Sequence, residues 1–215
     1  MVPDPAALRR RYDRGPLREA DLDPDPVVAF RAWFADAAAG GVLEPNAMIL
    51  ATASASGVPS ARTVLLKGVD ADGFVFYTNL GSRKARDLAE NPQASLVFPW
   101  HAVDRQVVIY GEVTEVDREQ VAAYFATRPR PAQLGAWASA QSTPVPSRQV
   151  LDDRYAEVAA RWPEGTPVPV PDFWGGFRVE PLAVEFWQGR PGRLHDRLRY
   201  QRLPDRTWVR HRLCP

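Results

Sequence analysis

The residues best suited to chemistry lie in the segment YTNLGSRK, residues 77–84. A strand pattern ends there in a glycine turn and a helix begins, so free backbone N–H groups, the Ser82 hydroxyl and the cations Arg83 and Lys84 come together. This set of donors suits a phosphate group. An ordinary solvated helix start with Ser82 as its cap is the alternative, and this segment alone does not choose between them.

Two further cations lie in the segment RTVLLK, residues 62–67. Arg62 and Lys67 are separated by an odd number of positions, so a regular strand places their side chains on opposite faces unless a bulge intervenes. The pattern therefore predicts that the two cations serve different ligands. A strand with charged ends at the rim of the sheet is the alternative.

Lysine is rare in this chain. Only Lys67 and Lys84 are lysines among the 27 basic residues, and the rest are arginines. Codon bias explains the arginine excess but not the two exceptions. A compact ammonium group differs from a planar guanidinium as a phosphate partner, which makes both lysines candidate ligand contacts.

The segment RLHDR carries a third basic cluster. Strand alternation places Arg193, His195 and Arg197 on one face and apolar side chains on the other, namely Leu194, Leu198 and Tyr200. Three cations on one face repel one another, so the pattern favours an anionic ligand over a simple exposed strand. A fourth patch of Tyr124, Arg128 and Arg130 stands at a helix end, where the positive charges also complement the helix dipole.

Composition excludes several functional classes. The chain has 215 residues, 45% of them hydrophobic and 25% charged, with a formal net charge of +1, which indicates a folded protein without a global field for nucleic acid or membrane. One cysteine and three histidines exclude a disulfide framework and make a metal site unlikely to form. Phosphate-loop, dinucleotide-binding and serine-hydrolase motifs are missing from the sequence.

The longest apolar stretch, residues 47–53, is too short to span a membrane, and the first residues lack the apolar core of a signal peptide. We therefore expect a cytoplasmic protein. The first 25 residues are polar and basic, and we expect them to form a mobile arm with little core of its own.

Hydrophobic periodicity predicts a helix at 26–40, a shorter one at 82–90, and two more at 117–128 and 147–162. About eight strands are predicted, five of them before residue 117: 47–53, 60–67, 73–79, 93–100, 105–116, 173–189, 193–202 and 206–213. The expected architecture is α+β, with residues 26–215 forming a single domain in which helices pack around an antiparallel β-barrel.

Several segments, taken in order, resemble the pyridoxamine/pyridoxine 5'-phosphate oxidases. They are RTVLLK, FYTNLGSRKARDLAENP, FPWHAVDRQV, RPRPAQLGAWASAQS, FWGGFRV, and VEFWQG followed by RLHDR, and the resemblance covers residues 8–215. It implies an FMN-binding split barrel that forms a homodimer with FMN at the subunit interface.

The resemblance also implies roles for individual residues. Flavin contacts would come from Arg62, Thr63, Val64, Leu65, Lys67, Tyr77, Thr78, Arg83, Lys84, Gln106, Gln141, Ser142, Trp187 and Arg197. Substrate contacts would come from Lys67, Tyr124 and Arg128 at the phosphate, from the catalytic pair Arg193 and His195 at the pyridine ring, and from Arg9 and Tyr12 in a closing N-terminal lid. Ala132 replaces a serine that often binds phosphate in the family, and Arg11 replaces an acidic lid residue, which affects affinity rather than reaction type.

The reaction implied is oxidation of pyridoxine 5'-phosphate or pyridoxamine 5'-phosphate at C4' to pyridoxal 5'-phosphate. Hydride passes to flavin N5, and oxygen reoxidises the flavin and yields hydrogen peroxide. One alternative is a related flavin oxidase acting on another ring, such as a phenazine precursor. A non-enzymatic carrier of flavin or pyridoxal phosphate, or an RNA-binding protein using the basic arm, are the others, and overall neutrality disfavours the last.

Overall fold

The computed structural model describes residues 3–8 and 10–215. Their contacts divide the chain into two compact units. The first unit takes the described residues up to Ile49 together with Ser95–Gly111 and Pro181–Pro215, and the second takes Leu50–Ala94 and Glu112–Glu180. The division into an arm and one domain stays a prediction.

The α+β class is confirmed, with α-helices and an antiparallel sheet in the described residues. The helices are α1 (Pro26–Ala39), α2 (Arg83–Glu90), α3 (Arg118–Thr127), α4 (Arg130–Ala138) and α5 (Arg148–Arg161). The strands are β1 (Ala47–Ala53), β2 (Pro59–Leu65), β3 (Gly68–Asp70), β4 (Gly73–Asn79), β5 (Gln93–Trp100), β6 (Arg105–Glu115), β7 (Trp174–Gln188), β8 (Asp196–Arg202) and β9 (Trp208–Arg212).

The strands are hydrogen-bonded in the order β2-β1-β5-β6-β7-β4-β3, and β8 pairs with β7 and β9. The structure thus has one strand more than the sequence predicted, since β3 is a separate short strand that follows the break after Leu65. Helix α4 was also missed, because the prolines around it suggested a loop. Proline is favoured in the first turn of a helix, where Pro131 lies.

The first unit is built on α1. The Asp25 carboxylate caps this helix by accepting from the Val27 N–H at 2.7 Å. Phe30 packs on Phe98 with ring centroids 4.9 Å apart, and Trp33 packs edge-on against Phe186 at 5.0 Å. Burying each such ring stabilises the fold by about 1.5–3 kcal/mol.

The N-terminal segment of this unit is anchored. Leu17 and Leu22 are buried, at 3% and 5% exposure, so the expectation that the first 25 residues contribute little core was wrong at these two positions. The Leu17 N–H donates to Asp196 at 3.0 Å, and the Gln188 amide donates to the Gly15 carbonyl at 2.6 Å. These contacts hold the segment against the β7–β8 connection of the same unit.

The second unit places β4 against β7. The register pairs Tyr77 with Gly176 and Asn79 with Trp174. Helices α3 and α4 contribute to an apolar cluster of this unit, which is formed by Val121, Phe125, Leu134, Val168 and Trp174. The cluster fixes the inner faces of these helices, and the side chains at their ends border a large cavity.

A search of the described residues found no helix with both the length and the apolar character to cross a membrane.

Candidate functional site

The second unit contains a cavity of about 840 Å³, called the basic cavity below. It is lined entirely by residues of that unit, and the predicted site residues among them are Arg62, Thr63, Val64, Leu65, Lys67, Tyr77, Thr78, Arg83, Lys84, Tyr124, Arg128, Gln141 and Ser142. Ala132, which the resemblance places at a serine position, also lines the cavity. Residues far apart in the sequence therefore meet here, while their roles stay predictions.

Lys84 is a buried ammonium group on α2, with only 6% of the residue exposed. Its Nζ donates to Gln141 Oε1 at 2.8 Å, Thr78 Oγ1 at 3.0 Å and Ser82 Oγ at 3.3 Å. All three partners are neutral, and none of the ion pairs among the described residues involves Lys84. Burial, reinforced by the nearby charge of Arg62, lowers the pKa of Lys84 from 10.5 to about 8. Such a cation gains from an anionic ligand.

Arg62 on β2 is held at the same end of the cavity. Its guanidinium donates to Thr52 Oγ1 at 2.8 Å, to Ser60 Oγ at 2.5 Å and to the Leu50 carbonyl at 3.2 Å. The Asp87 carboxylate lies 4.0 Å away and itself accepts from the Thr52 and Ser60 hydroxyls. Burial lowers the pKa of Arg62. This network fixes the guanidinium in place beside Lys84.

The loop that precedes α2 differs from the expectation. Ser82 stands at the N-cap position, but its side chain makes no capping hydrogen bond and accepts from Lys84 instead. The Arg83 N–H donates to Ser142 Oγ at 3.2 Å. Ser142 has a left-handed φ of 70°, which costs a residue with a side chain about 1 kcal/mol. Strained backbone of this kind occurs often at binding sites.

Lys67 corrects the strand-parity prediction. The regular strand ends at Leu65, and the Lys67 N–H donates to the Val75 carbonyl at 2.8 Å. Lys67 is exposed and lines the same cavity as Arg62, so the expectation of opposite faces was wrong. Alternation cannot be counted through a break in the strand. That the two cations serve different ligands stays a prediction.

Arg128, just after α3, presents an unused donor. Its Nη1 is buried and has no hydrogen-bond partner among the described residues. The guanidinium carbon lies 4.8 Å from the ring centre of Trp174 and 5.4 Å from that of Phe125. Burial lowers the pKa of Arg128. A buried guanidinium with a free N–H is suited to an anion entering from the cavity.

Arg130, which the sequence grouped with Arg128, has a different place. Its guanidinium donates to the carbonyls of Thr166 and Pro163, both at 2.7 Å, and to that of Trp162. Arg130 therefore fixes the connection after α5, and its predicted membership of an anion patch was wrong.

Three parallel rings line the cavity next to Arg128. Tyr77 stacks on Tyr124 with centroids 4.1 Å apart, and Trp174 is parallel to both, at 5.5 Å from Tyr77 and 6.0 Å from Tyr124. We call these three residues the aromatic stack. Gly176 makes room for it, because a Cβ atom there would lie 2.7 Å from Tyr77 Cδ1. Sequence reasoning missed Trp174, although two glycines directly after a tryptophan in a strand pattern signal a close approach.

The first unit holds another set of predicted residues. The Tyr12 ring meets Trp187 and His195 edge-on, with centroids 5.7 Å and 5.4 Å away. His195 Nδ1 accepts from the Arg190 N–H at 3.1 Å. Burial and the charge of Arg193 lower the pKa of His195. The ring is therefore neutral at neutral pH with its proton on Nε2.

The structure also corrects the expected strand through RLHDR. Pro191–Arg193 form a 3₁₀ turn in which Arg193 has a φ of 66°, and β8 begins only at Asp196. Leu194 is 74% exposed instead of facing the core. Arg197 makes a bidentate pair with Glu185 at 2.8 Å and 3.0 Å.

The argument from three crowded cations was therefore wrong, because Glu185 already balances one of them and His195 is neutral. Gln106 lies in the same unit on β6. Arg9 falls outside the described residues.

Comparison with known proteins identifies relatives over nearly the whole chain. Residues 34–162 match the model of the family described as pyridoxamine 5'-phosphate oxidase, and residues 174–215 match the pyridoxine 5'-phosphate oxidase C-terminal dimerisation region. A pyridoxine/pyridoxamine 5'-phosphate oxidase of Frankia casuarinae is 61% identical over 94% of this chain and 76% of its own length. The one of Streptomyces avermitilis is 56% identical over 100% of this chain and 97% of its own length.

Solved structures agree on the fold. PhzG from Burkholderia lata, solved with tetrahydrophenazine-1-carboxylic acid, superposes with a TM-score of 0.89 at 32% identity, over 96% of this chain and all of that one. A pyridoxamine 5'-phosphate oxidase-related, FMN-binding protein from Nostoc punctiforme superposes with a TM-score of 0.70 at 19% identity, over 86% of this chain and 97% of that one. These similarities confirm the predicted split-barrel fold class.

Proposed function

The chain belongs to the pyridoxamine 5'-phosphate oxidase family, and on this premise we propose that it oxidises pyridoxine 5'-phosphate and pyridoxamine 5'-phosphate to pyridoxal 5'-phosphate, with FMN as cofactor. One observation carries the proposal: the basic cavity holds two sets of cations with different neighbours. Lys84 and Arg62 form one set, and Lys67 and Arg128 form the other. FMN and the substrate bring one phosphate each.

The residues around Lys84 fit the FMN phosphate. A buried ammonium group whose partners are all neutral lacks a counter-ion, and a phosphate dianion supplies one. Arg62 adds a second cation that is already fixed by hydroxyl groups. Arg83 and Ser142 would border the same phosphate, and Thr63, Val64 and Leu65 would line the flavin along β2.

The residues around Arg128 fit the substrate phosphate. Its unpartnered Nη1, the exposed Lys67 ammonium and the Tyr124 hydroxyl are donors that a phosphate accepts from. Holding the phosphate at one end fixes where the C4' carbon lies, which converts a bimolecular encounter into an oriented reaction.

FMN, when bound, supplies a two-electron acceptor: C4' loses a hydride and a proton, an imine formed from the amine substrate is hydrolysed with release of ammonia, and oxygen reoxidises the flavin to give hydrogen peroxide. Arg193 and His195 would orient the pyridine ring. Because the Arg190 N–H occupies the Nδ1 lone pair, His195 acts first as a donor through Nε2–H. Accepting a proton at Nδ1 requires that this bond break.

A homodimer with FMN at the subunit interface belongs to the proposal. It is supported by the match of residues 174–215 to a dimerisation region. Sedimentation should show a particle of twice the chain mass. An FMN-loaded monomer at low micromolar concentration would contradict it.

A phenazine-type substrate is the second candidate, because PhzG shares the fold at 32% identity. The ligand of PhzG is a carboxylic acid. The set of Lys67, Tyr124 and Arg128 offers several donors, which suits a phosphate dianion better than a single carboxylate. Identities above 50% to pyridoxine/pyridoxamine 5'-phosphate oxidases also favour the first candidate.

The deciding experiment supplies oxygen and each substrate to the FMN-loaded protein and measures pyridoxal 5'-phosphate and hydrogen peroxide. We expect both products in equal amounts. A yellow protein that forms neither product would be a carrier or an oxidase of another ring, and turnover of a dihydrophenazine carboxylic acid would identify the latter. A colourless protein that does not bind FMN would reject the flavoenzyme class altogether.

A further inference from the structure

We infer that Trp174 is a positioning residue, whose indole holds the Arg128 guanidinium and the Tyr124 ring in the orientation that receives the substrate phosphate. The inference rests on the proposed function for the identity of that ligand. Trp174 touches the cavity but carries no group that would bind a phosphate, so its effect passes through its neighbours.

The backbone of Trp174 is fixed independently of the cavity. Its N–H donates to the Pro171 carbonyl at 3.1 Å, and its carbonyl accepts from Arg118 Nη1 at 2.8 Å. Trp174 is the first residue of β7 and pairs with Asn79 of β4. At 6% exposure the indole has little freedom. It is therefore a rigid reference for the more mobile side chains beside it.

Arg128 depends on that reference. No side-chain hydrogen bond or ion pair within the described part of the chain involves its guanidinium, and its close contacts are the faces of Trp174 at 4.8 Å and Phe125 at 5.4 Å. A cation over an indole face is attracted by the ring quadrupole. The ring thus sets the position of the guanidinium while leaving its N–H groups available.

Other arginines show what the alternative looks like. Arg197 donates to both oxygens of Glu185, and Arg130 donates to three backbone carbonyls. Their N–H groups are occupied, and for Arg197 the charge is balanced. A guanidinium oriented by aromatic faces keeps both its charge and its donors for an incoming anion.

Tyr124 is oriented by the same indole. The two rings are parallel within 7°, and Tyr77 lies against Tyr124 at 4.1 Å. Loss of the indole therefore frees Tyr124 and Arg128 together, on the side of the cavity where the substrate phosphate is proposed. Lys84 and its partners are untouched by the change.

The test compares Trp174→Leu and Trp174→Phe with the matched control Trp162→Leu. Trp162 also has a guanidinium over its ring, that of Arg161 at 4.8 Å, but it does not line the cavity. The probe is pyridoxal 5'-phosphate titrated into the FMN-loaded protein, with pyridoxal as the ligand that lacks the phosphate. Affinity for FMN and the melting temperature are measured for each variant.

We expect Trp174→Leu to weaken pyridoxal 5'-phosphate binding about tenfold, and Trp174→Phe by a smaller factor because a phenyl face remains. Affinities for pyridoxal and FMN should be unchanged, and Trp162→Leu should bind all three ligands normally. In an Arg128→Ala background the same Trp174 substitutions should have much smaller effects, since their main target is gone.

Equal weakening for pyridoxal and pyridoxal 5'-phosphate, or an undiminished effect in the Arg128→Ala background, would overturn the inference. If Trp174→Leu does not fold, Trp174→Phe with its double-mutant cycle decides. These binding results are separate from turnover: failure of the unmodified protein to form pyridoxal 5'-phosphate would reject the proposed function and leave the coupling between Trp174 and Arg128 to be judged on binding alone.

Discussion

Gln141 Oε1 accepts hydrogen bonds from both Lys84 Nζ, at 2.8 Å, and Thr78 Oγ1, at 3.0 Å. One amide oxygen thus joins three elements of the second unit: the end of β4, the first turn of α2 and the loop after α4. The loop is long and irregular, and this junction fixes its distance from the buried ammonium group. Disturbing Lys84 should therefore change both the charge and the shape of the proposed flavin phosphate site.

The first prediction follows from that charge. Lys84→Ala removes one cation from a phosphate dianion, and charge-assisted hydrogen bonds contribute about 1.5–3 kcal/mol, so affinity for FMN should fall about tenfold or more. Fluorescence titration of the apoprotein measures this. Riboflavin, which has no phosphate, should bind the variant and the unmodified protein alike. Unchanged FMN affinity would place the phosphate elsewhere.

The second prediction concerns pH. Because the pKa of Lys84 is about 8 in the folded apoprotein, FMN affinity should fall as pH rises through that value and the ammonium loses its proton. The unfolded chain, with a lysine pKa near 10.5, binds more protons between pH 8 and 10.5, so the apoprotein should gain stability over that range. Lys84→Met should abolish both trends, in titrations and in urea unfolding. Parallel pH profiles for the two proteins would contradict the assignment.

The third prediction separates the two lysines. Lys67→Ala should leave the protein yellow and raise the KM for pyridoxine 5'-phosphate more than it lowers kcat. The phosphate does not change during hydride transfer, so its contact with Lys67 acts on ground and transition states alike. Steady-state kinetics in flavin-saturated buffer measure the split. Loss of FMN with a normal KM would assign Lys67 to the cofactor instead.

The fourth prediction tests the space at Gly176. The methyl group of Gly176→Ala would lie 2.7 Å from Tyr77 Cδ1, and the ring must move away from the aromatic stack. Overpacking of this kind costs about 1–3 kcal/mol, and we expect a lower melting temperature together with weaker flavin binding. Gly15→Ala is the control, because a Cβ there meets nothing within 4 Å. Equal behaviour of the two variants would show that the stack tolerates displacement.

The fifth prediction concerns His195. Burial and then the charge of Arg193 lower its pKa below the usual 6.5, so the ring should titrate at a lower pH than a free histidine. Arg193→Ala should move the midpoint upward, and NMR titration of the ring protons measures both values. Arg14→Ala, which removes a first-unit guanidinium that is not among the causes of the shift, should leave the midpoint in place. A midpoint insensitive to Arg193 would leave burial as the sole cause.

Local signals explain what the sequence predicted well. The strand, glycine turn and helix around Lys84 are encoded within eight residues, so the meeting of Thr78, Arg83 and Lys84 follows from short-range geometry. Arg62 required the resemblance, because its place beside Lys84 depends on strand pairing.

The errors share a physical cause. Parity arguments assumed that strands continue through Lys67 and through Arg193, whereas the first strand stops at Leu65 and a 3₁₀ turn with left-handed residues precedes β8. Breaks of this kind depend on tertiary hydrogen bonds, such as that from the Lys67 N–H to the Val75 carbonyl, which periodicity does not register.

Lys67 and Lys84 are the only side-chain amines of the chain, and both line the basic cavity. An amine-acylating reagent therefore modifies side chains in a single place, and mass spectrometry of the modified protein becomes a footprint of what fills it. The exposed Lys67 reacts first and the buried Lys84 slowly, so the two rates act as paired reporters on one molecule. A ligand at one end of the cavity protects one label, and a ligand at the other end protects the other.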